Sequence, residues 1–358
     1  MLQPRRVPLR IACIRSLLSV FLLGAMSLAH ADIAAATTTA EPTASPTGIA
    51  AYARAHAAVV GLRTTVSDDA RSAESLGRQR SGSGVLIGKD GLILTIGYLM
   101  MEAEQIQIVT HDNKTLPAKA VAYDLATGFG LVRTLLPLEG LEPVGFGTLD
   151  ELRSGEPLMA VSGAQPDDAH GDVAMVYLVG KRAFSGYWEY HIESAAFTSP
   201  PIANHSGAGL FNQRGELVGV GSLLVGDAMG PGRRLPGNMF VPVDLLKPVL
   251  DEMQQTGSSA TSRRPWLGVS STEQSGRIQI IRVNKDSPAQ QAGLQPGDLV
   301  LAVDGTTVAT LEAFYKKLWA RSDPDTEVTL TVLQGAELKT IRIRAVDRMR
   351  TMVKPSGI

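Results

Sequence analysis

Residues 82–100 read GSGVLIGKDGLILTIGYLM, two apolar runs joined by a short polar segment. The runs cover 85–87 and 92–95, and the segment between them ends in Asp-Gly, a strong signal for a tight turn. This pattern predicts a β-hairpin. Short apolar runs separated by Gly, Asp, Asn and Pro continue to residue 242, and helical periodicity is weak until 243–255. The succession of short strands predicts a closed β-barrel or a pair of barrels.

A second unit follows a break in composition. Residues 255–265, QTGSSATSRRP, are small, polar and basic, which is typical of a linker. Further on, LEAFYKKLWA at 311–320 has apolar residues at helical spacing, and its aromatic side chains are expected to pack in a core. Strands are predicted around this helix at 266–270, 277–284, 298–303, 326–333 and 338–345.

The amino-terminal segment has the pattern of an export signal. Residues 1–31 combine a basic front, an apolar stretch and Ala-His-Ala at 29–31, which fits a cleavage site. An uncleaved membrane anchor is the alternative. Residues 32–48 are rich in Ala, Thr and Pro and predict a flexible tether, and 49–62 predict a short helix that runs into a strand.

The composition argues against several kinds of chemistry. Without the signal, the chain keeps 30 basic and 35 acidic residues, a net charge of −5, which argues against nucleic acid as a partner. Cys13 is the only cysteine and lies in the signal, so neither a disulfide nor a thiol nucleophile is expected in the mature chain. The six histidines lack short ligand spacing, so no metal site is expected, and no cofactor is expected either.

Residues 204–210, NHSGAGL, set Ser206 among small residues just before a strand. A hydrolase presents a nucleophile in this way, but serine is a weak nucleophile unless an adjacent base takes its proton. Whether the chain cleaves peptides therefore depends on a base and an acid near Ser206.

The two units resemble a trypsin-like double β-barrel followed by a small α+β PDZ domain, the arrangement of the HtrA/Deg family of exported serine proteases. The resemblance covers about 57–346 and makes the expected fold mainly β. Four segments of the first unit are similar to the family's opening hairpin, its acid-bearing segment, its nucleophile turn and its closing strand: 82–95, 124–132, 205–210 and 239–242. In the second unit, Trp266, Leu267, Gly268 and Val269 resemble a carboxylate-binding loop, and 287–305 continue the match.

The residues that carry catalysis in the family are replaced here. Tyr98 stands where the family has its histidine base, and Gly128 stands where it has its aspartate. Ser206 alone is kept. In the oxyanion hole, formed by Asn204 and Ser206, asparagine replaces the family's glycine, and asparagine tolerates a positive φ better than most residues. The resemblance therefore implies a family member without catalysis.

Other residues are poor substitutes for the missing base. His205 neighbours Ser206, but adjacent side chains on a tight turn diverge, so a solvent-facing histidine is expected. Tyr98 is in the right place, yet phenols titrate near pH 10. Asp124 matches a turn-capping position, and His111 is expected to be exposed in a hairpin turn.

The second unit is expected to bind extended C-terminal peptides. In a PDZ domain the peptide adds a strand, and consecutive backbone N–H groups of a loop bind its terminal carboxylate. Leu267, Gly268 and Val269 would form that loop, with the helix at 311–320 as the wall of the groove. The alternative is that this segment is only the first strand of a small barrel, with Trp266 filling its own groove.

The predicted domain division is a signal at 1–31, a tether at 32–48, a protease-fold domain at 49–252, a linker at 253–264, a PDZ domain at 265–346 and a tail at 347–358. Three functions stay open for an exported, periplasmic protein. The first is a pseudoprotease that binds peptides of envelope proteins or regulates their quality control. The second is a weak or unconventional serine endopeptidase that uses Ser206. The third is a structural subunit, in a homo-oligomer or with an active relative.

Overall fold

The computed structural model describes residues 46–165 and 171–352. The predicted signal and most of the predicted tether lie outside these residues. Helix α1, Pro46–Ala57, begins within the last residues assigned to the tether and leads into the first strand, as 49–62 predicted. In the described part of the chain, no helix has both the length and the apolar character needed to span a membrane.

Two closed β-barrels form the first part of the chain. The first closes in the order β1-β2-β3-β6-β5-β4 and the second in the order β10-β11-β12-β9-β8-β7. A short helix, α2 (Ala73–Leu76), lies between β1 and β2. The strands are β1 Val59–Val66, β2 Gln79–Leu86, β3 Leu92–Ile96, β4 Ala103–Val109, β5 Thr115–Tyr123, β6 Phe129–Thr134, β7 Pro157–Val161, β8 Val173–Gly186, β9 Tyr190–Ser199, β10 Gly209–Phe211, β11 Leu217–Val225 and β12 Gly237–Pro242.

The hairpin predicted from the apolar runs at 85–87 and 92–95 is confirmed. Strands β2 and β3 pair antiparallel, with Val85 opposite Leu94, and every residue of β3 is buried. A single 3₁₀ turn, Gly97–Leu99, follows β3 directly and carries Tyr98. The hairpin therefore places Tyr98 at the end of a buried strand.

The second unit predicted from the sequence, which follows the two barrels, is a sheet covered by a helix. Its strands are β13 Pro265–Trp266, β14 Val269–Gln274, β15 Arg277–Val283, β16 Leu299–Val303, β17 Thr306–Thr307, β18 Glu327–Gln334, β19 Glu337–Arg344 and β20 Val346–Asp347, and its helices are α4 Pro288–Gln291, α5 Leu311–Trp319 and α6 Arg348–Thr351. Strand β14 is at the edge of the main sheet. Phe314, Tyr315 and Leu318 of α5 are fully buried in the core of this unit, as the helical spacing predicted.

The segment assigned to a linker, 253–264, is packed against the first barrel. Its beginning belongs to α3, Leu250–Thr256, and Ala260–Ser262 form a 3₁₀ turn. Ser259 and Ser262 are buried because both donate hydrogen bonds to the carboxylate of Asp124. Small polar residues indicated a flexible connection, but a buried acceptor far away in the sequence binds them.

Candidate active site and peptide-binding loop

The turn that carries Ser206 is fixed by both barrels. The carbonyl oxygen of Ser206 accepts a hydrogen bond from the Ser83 N–H at 2.8 Å, and the Gly207 N–H donates to the Gly221 carbonyl at 2.8 Å. Gly207 has φ +76°, and a Cβ at this position would lie 2.0 Å from the Ser83 carbonyl oxygen. Only glycine allows the turn to approach the first barrel this closely.

The side chain that contacts the Ser206 hydroxyl is Tyr98. Its hydroxyl lies 2.8 Å from Ser206 Oγ and 2.9 Å from the carbonyl oxygen of Ser222. A phenol has one proton to donate, and a carbonyl oxygen can only accept. When both hydrogen bonds form, Tyr98 therefore donates to Ser222, and Ser206 donates to Tyr98. The two side chains face each other between the barrels, as the sequence predicted.

Tyr98 is a poor base in this position. Burial, opposed by the hydrogen bond with Ser206, raises the pKa of Tyr98 to about 12. At that pKa, about one molecule in 10⁵ carries a phenolate at pH 7. A neutral phenol can accept a hydrogen bond from Ser206, but it cannot take the proton away and return it to a leaving group.

The loop at the start of the second unit binds a carboxylate. The N–H groups of Leu267, Gly268 and Val269 donate to the side chain of Glu189 at 3.1, 2.7 and 2.9 Å. Glu189 lies between β8 and β9 of the second barrel and is 3% exposed. Trp266 is buried beside the loop in β13, which pairs with β20. The predicted binding loop therefore has the expected arrangement of donors.

Comparisons with known proteins agree with this arrangement. Residues 82–220 match the trypsin-like peptidase domain family, and residues 265–344 match the PDZ domain family. Two solved structures are similar to this chain, "HtrA-type protease AlgW with tripeptide" and "HtrA-type protease AlgW with decapeptide". Each superposes with a TM-score of 0.52 at 21% sequence identity. The matches cover 87% and 86% of this chain and 98% and 99% of the two AlgW chains. The chain has an HtrA-type fold.

Curated relatives have names of the same kind. Proteins from Halomonas elongata and Pseudomonas fulva, both named "Probable periplasmic serine endoprotease DegP-like", are 26% and 28% identical over 75% of this chain. The chain spans 57% of the length of each. A mainly β chain with a trypsin-like domain and a PDZ domain is thus confirmed.

Gly128 lies close to the turn of Tyr98, where the HtrA-type pattern predicts the acid. Its carbonyl oxygen accepts from the Gly97 N–H at 2.7 Å, and its φ is +82°. A Cβ here would lie 3.1 Å from the hydroxyl of Tyr190, which itself donates to the Thr127 carbonyl at 2.6 Å. Tyr190 therefore takes up part of the space that a side chain at 128 would need.

Asp124 caps a turn, as predicted, and it also binds the segment before the PDZ domain. One carboxylate oxygen accepts from the N–H and hydroxyl of Thr127 at 2.8 and 2.6 Å, and the other accepts from Ser259 and Ser262. Burial alone would raise the pKa of Asp124, but these hydrogen bonds outweigh it and hold the pKa below its usual value. Asp124 is therefore a buried structural carboxylate.

His205 and Asn204 are turned to other partners. Nδ1 of His205 lies 2.9 Å from the Ala203 carbonyl, to which it can only donate, and burial lowers the pKa of the ring. The Asn204 amide donates to Asp172 at 2.9 Å. Asn204 does not have a positive φ, so the tolerance of asparagine for a positive φ plays no part in this turn. His111 was expected to be exposed, but it is partly buried because its ring stacks on His56.

A further group of ionisable residues was not predicted from the sequence. The ligand atoms of His191, Glu193 and Glu312 all lie within 4.8 Å of one another. Lys316 Nζ pairs with Glu193 at 2.9 Å and with Glu312 at 2.7 Å, so one ammonium group already forms ion pairs with both carboxylates. No local spacing could reveal this group because α5 and β9 are far apart in the chain.

Glu189 is a residue at the candidate binding loop that no sequence pattern indicated. It is 78 residues from Leu267, and nothing in the stretch Tyr187 to Tyr190 indicates a ligand for a distant loop. Its φ of +57° is uncommon for glutamate and is visible only in the fold.

Replacing Tyr98 with phenylalanine is expected to lower the free energy of unfolding by about 1 kcal/mol, because Ser206 and the Ser222 carbonyl lose their hydrogen-bond partner. Urea denaturation of the mature chain measures this. Tyr177→Phe is the control, since Tyr177 is exposed on β8 and should change little. Equal losses in both variants would contradict the role given to the Tyr98 hydroxyl.

Proposed function

We propose that this chain is an exported pseudoprotease of HtrA type that binds peptides and acts as a regulatory factor in envelope protein quality control. The observation that carries the proposal is the pairing of Ser206 with a neutral phenol, Tyr98, at 2.8 Å. The proposal includes the domain division predicted from the sequence and an oxyanion hole formed by Asn204 and Ser206. It also includes assembly of the chain with itself or with an active relative.

The large contribution of a catalytic base to the rate of a serine protease supports the loss of proteolysis. In a well-studied serine protease, removing the base lowers turnover about a millionfold and leaves a rate only about 10³–10⁴ above water. Here a group with a pKa of about 12 occupies the place of the base. Gly128 offers no carboxylate that could orient an imidazole. The rate left to Ser206 is too low for a physiological peptidase.

The peptide-binding part rests on the PDZ domain and on the neighbours. The loop 267–269 directs three consecutive N–H groups at one carboxylate, which is how PDZ domains bind a peptide terminus. The two solved structures of AlgW, which have this fold, contain a tripeptide and a decapeptide. The names of the curated relatives and the signal-like residues 1–31 support export to the periplasm.

A fluorophosphonate probe tests the proposal. The mature protein is expected to show no labelling and no degradation of unfolded casein, because Ser206 lacks a base. The matched control is Ser206→Ala, and an active trypsin-like protease treated in parallel shows that the probe works. Labelling of the wild type that disappears in Ser206→Ala would instead support an unconventional endopeptidase.

A further inference from the structure

The tip of the β8–β9 hairpin lies in the peptide groove of the PDZ domain. We call residues 186–190 the tip hairpin. The Ser271 N–H of β14 donates to the Tyr187 carbonyl at 2.8 Å, and the Tyr315 hydroxyl of α5 donates to the Gly186 carbonyl at 2.8 Å. The tip hairpin therefore contacts both the edge strand and the helix that border the groove in which a PDZ domain adds a peptide strand.

Glu189 completes this likeness to a bound peptide. Oε1 accepts from the N–H groups of Gly268 and Val269, and Oε2 accepts from that of Leu267. A terminal carboxylate would use the same three donors. The side-chain carboxylate of Glu189 thus stands where the end of a peptide ligand is expected.

The loop is shaped for a carboxylate by contacts within its own domain. Gly268 has φ +83°, and a Cβ on it would lie 2.3 Å from the Cβ of Ser287. The Leu267 carbonyl accepts from the Ala289 N–H at 2.9 Å, and the Gly268 carbonyl accepts from the Asn284 N–H at 2.8 Å. Glu189, in contrast, has a strained φ of +57° and a buried carboxylate whose pKa is raised by burial, and both features cost free energy unless the loop compensates them.

We propose that Glu189 is an internal ligand of the PDZ domain, which holds the groove closed, and that a peptide with a free terminal carboxylate binds by displacing the tip hairpin. The displacement step rests on the peptide-binding part of the proposed function. Because both ligands need the same three N–H groups, they exclude each other. The apparent affinity for a peptide is then its intrinsic affinity reduced by the fraction of molecules in which the groove is open.

The test compares the mature Ser206→Ala chain with the same chain carrying Glu189→Gln. The amide keeps the shape of the side chain but loses its charge, and it turns an NH₂ group towards an N–H donor. Glu189→Gly is the second variant, since glycine accepts the positive φ and removes the carboxylate without backbone strain. Glu142→Gln, an exposed position in the same part of the chain, is the control for the lost charge.

Two measurements are made on each protein. Hydrogen exchange of fragments that cover 266–270 reports whether the loop N–H groups are occupied. Fluorescence anisotropy reports binding of a labelled decapeptide pool whose last three positions vary among Val, Leu, Ile, Phe, Tyr and Trp, with either a free or an amidated C-terminus. We expect exchange at least tenfold faster in both Glu189 variants, and at least tenfold tighter binding of the free-carboxylate pool than in the unchanged chain or the control.

The outcomes separate the internal ligand from the proposed function. Unchanged exchange, or equal affinity of all four proteins for the free-carboxylate pool, would overturn the proposal. Faster exchange without peptide binding would support Glu189 as the internal ligand, but it would overturn the displacement step together with peptide binding. The Glu189 variants could also bind the amidated pool more tightly, by the same factor as the free-carboxylate pool. That result would show that the groove opens without binding a carboxylate, and it would overturn the competition for the three N–H groups.

Discussion

Gly207→Ala is expected to lower the free energy of unfolding by about 3 kcal/mol or more, because the new methyl group would clash with the backbone beside the Ser206 turn. The added Cβ would lie 2.0 Å from the Ser83 carbonyl oxygen and 2.8 Å from Thr95 Oγ1. These two atoms are hydrogen-bonded to each other at 2.7 Å, so neither can move aside freely. The turn must shift away from the first barrel, which also separates Ser206 from Tyr98.

Gly155→Ala is the matched control for this prediction. Gly155 also has a positive φ, +86°, but nothing lies within 4 Å of the position that its Cβ would occupy. Its cost should be only the backbone strain of a left-handed alanine, about 1 kcal/mol. Urea denaturation of the mature variants measures both. If the two substitutions cost the same, close packing of the Ser206 turn against Ser83 would be wrong as the cause.

The fold could be predicted because its signals are local. The two apolar runs at 85–87 and 92–95 pair across their Asp-Gly turn, and the apolar spacing in 311–320 matches the buried face of α5. Each of these patterns depends only on residues that are close together in the sequence. The composition of 253–264 predicts a linker, but it does not show that Asp124 binds the serine hydroxyls of this segment.

The candidate site could be predicted only as far as the family resemblance reached. It placed Tyr98 opposite Ser206, which the 2.8 Å hydrogen bond confirms. It also identified the N–H groups of 267–269 as a carboxylate site, but it gave no reason to expect Glu189 there. That contact joins two domains and needs a positive φ, a buried carboxylate and the register of the β8–β9 hairpin at the same time. No short-range pattern of residues encodes such a combination.

Asp124→Asn is expected to lower the free energy of unfolding by about 3 kcal/mol at pH 7, because a fully buried carboxylate loses charge-assisted hydrogen bonds on both of its oxygens. An asparagine side chain has one acceptor oxygen, and an NH₂ group replaces the second carboxylate oxygen. The donors that faced this second oxygen therefore lose their hydrogen-bond acceptor. These donors belong to the 124–128 turn and to the segment before the PDZ domain. The variant should therefore also increase hydrogen exchange in 257–263.

The pH dependence gives this prediction its sharpest form. The pKa of Asp124 is held below its usual value in the folded state, so its contribution is full above the unfolded value of about 3.9 and is lost as the pH falls through the folded value. The difference between wild type and Asp124→Asn should be constant from pH 7 down to about 5 and should shrink in more acidic solution. Asp68→Asn is the control, since Asp68 pairs with Arg78 on the surface and should change stability little at any pH. A difference that persists undiminished at the lowest pH would show that the lost hydrogen bonds do not depend on the charge of Asp124.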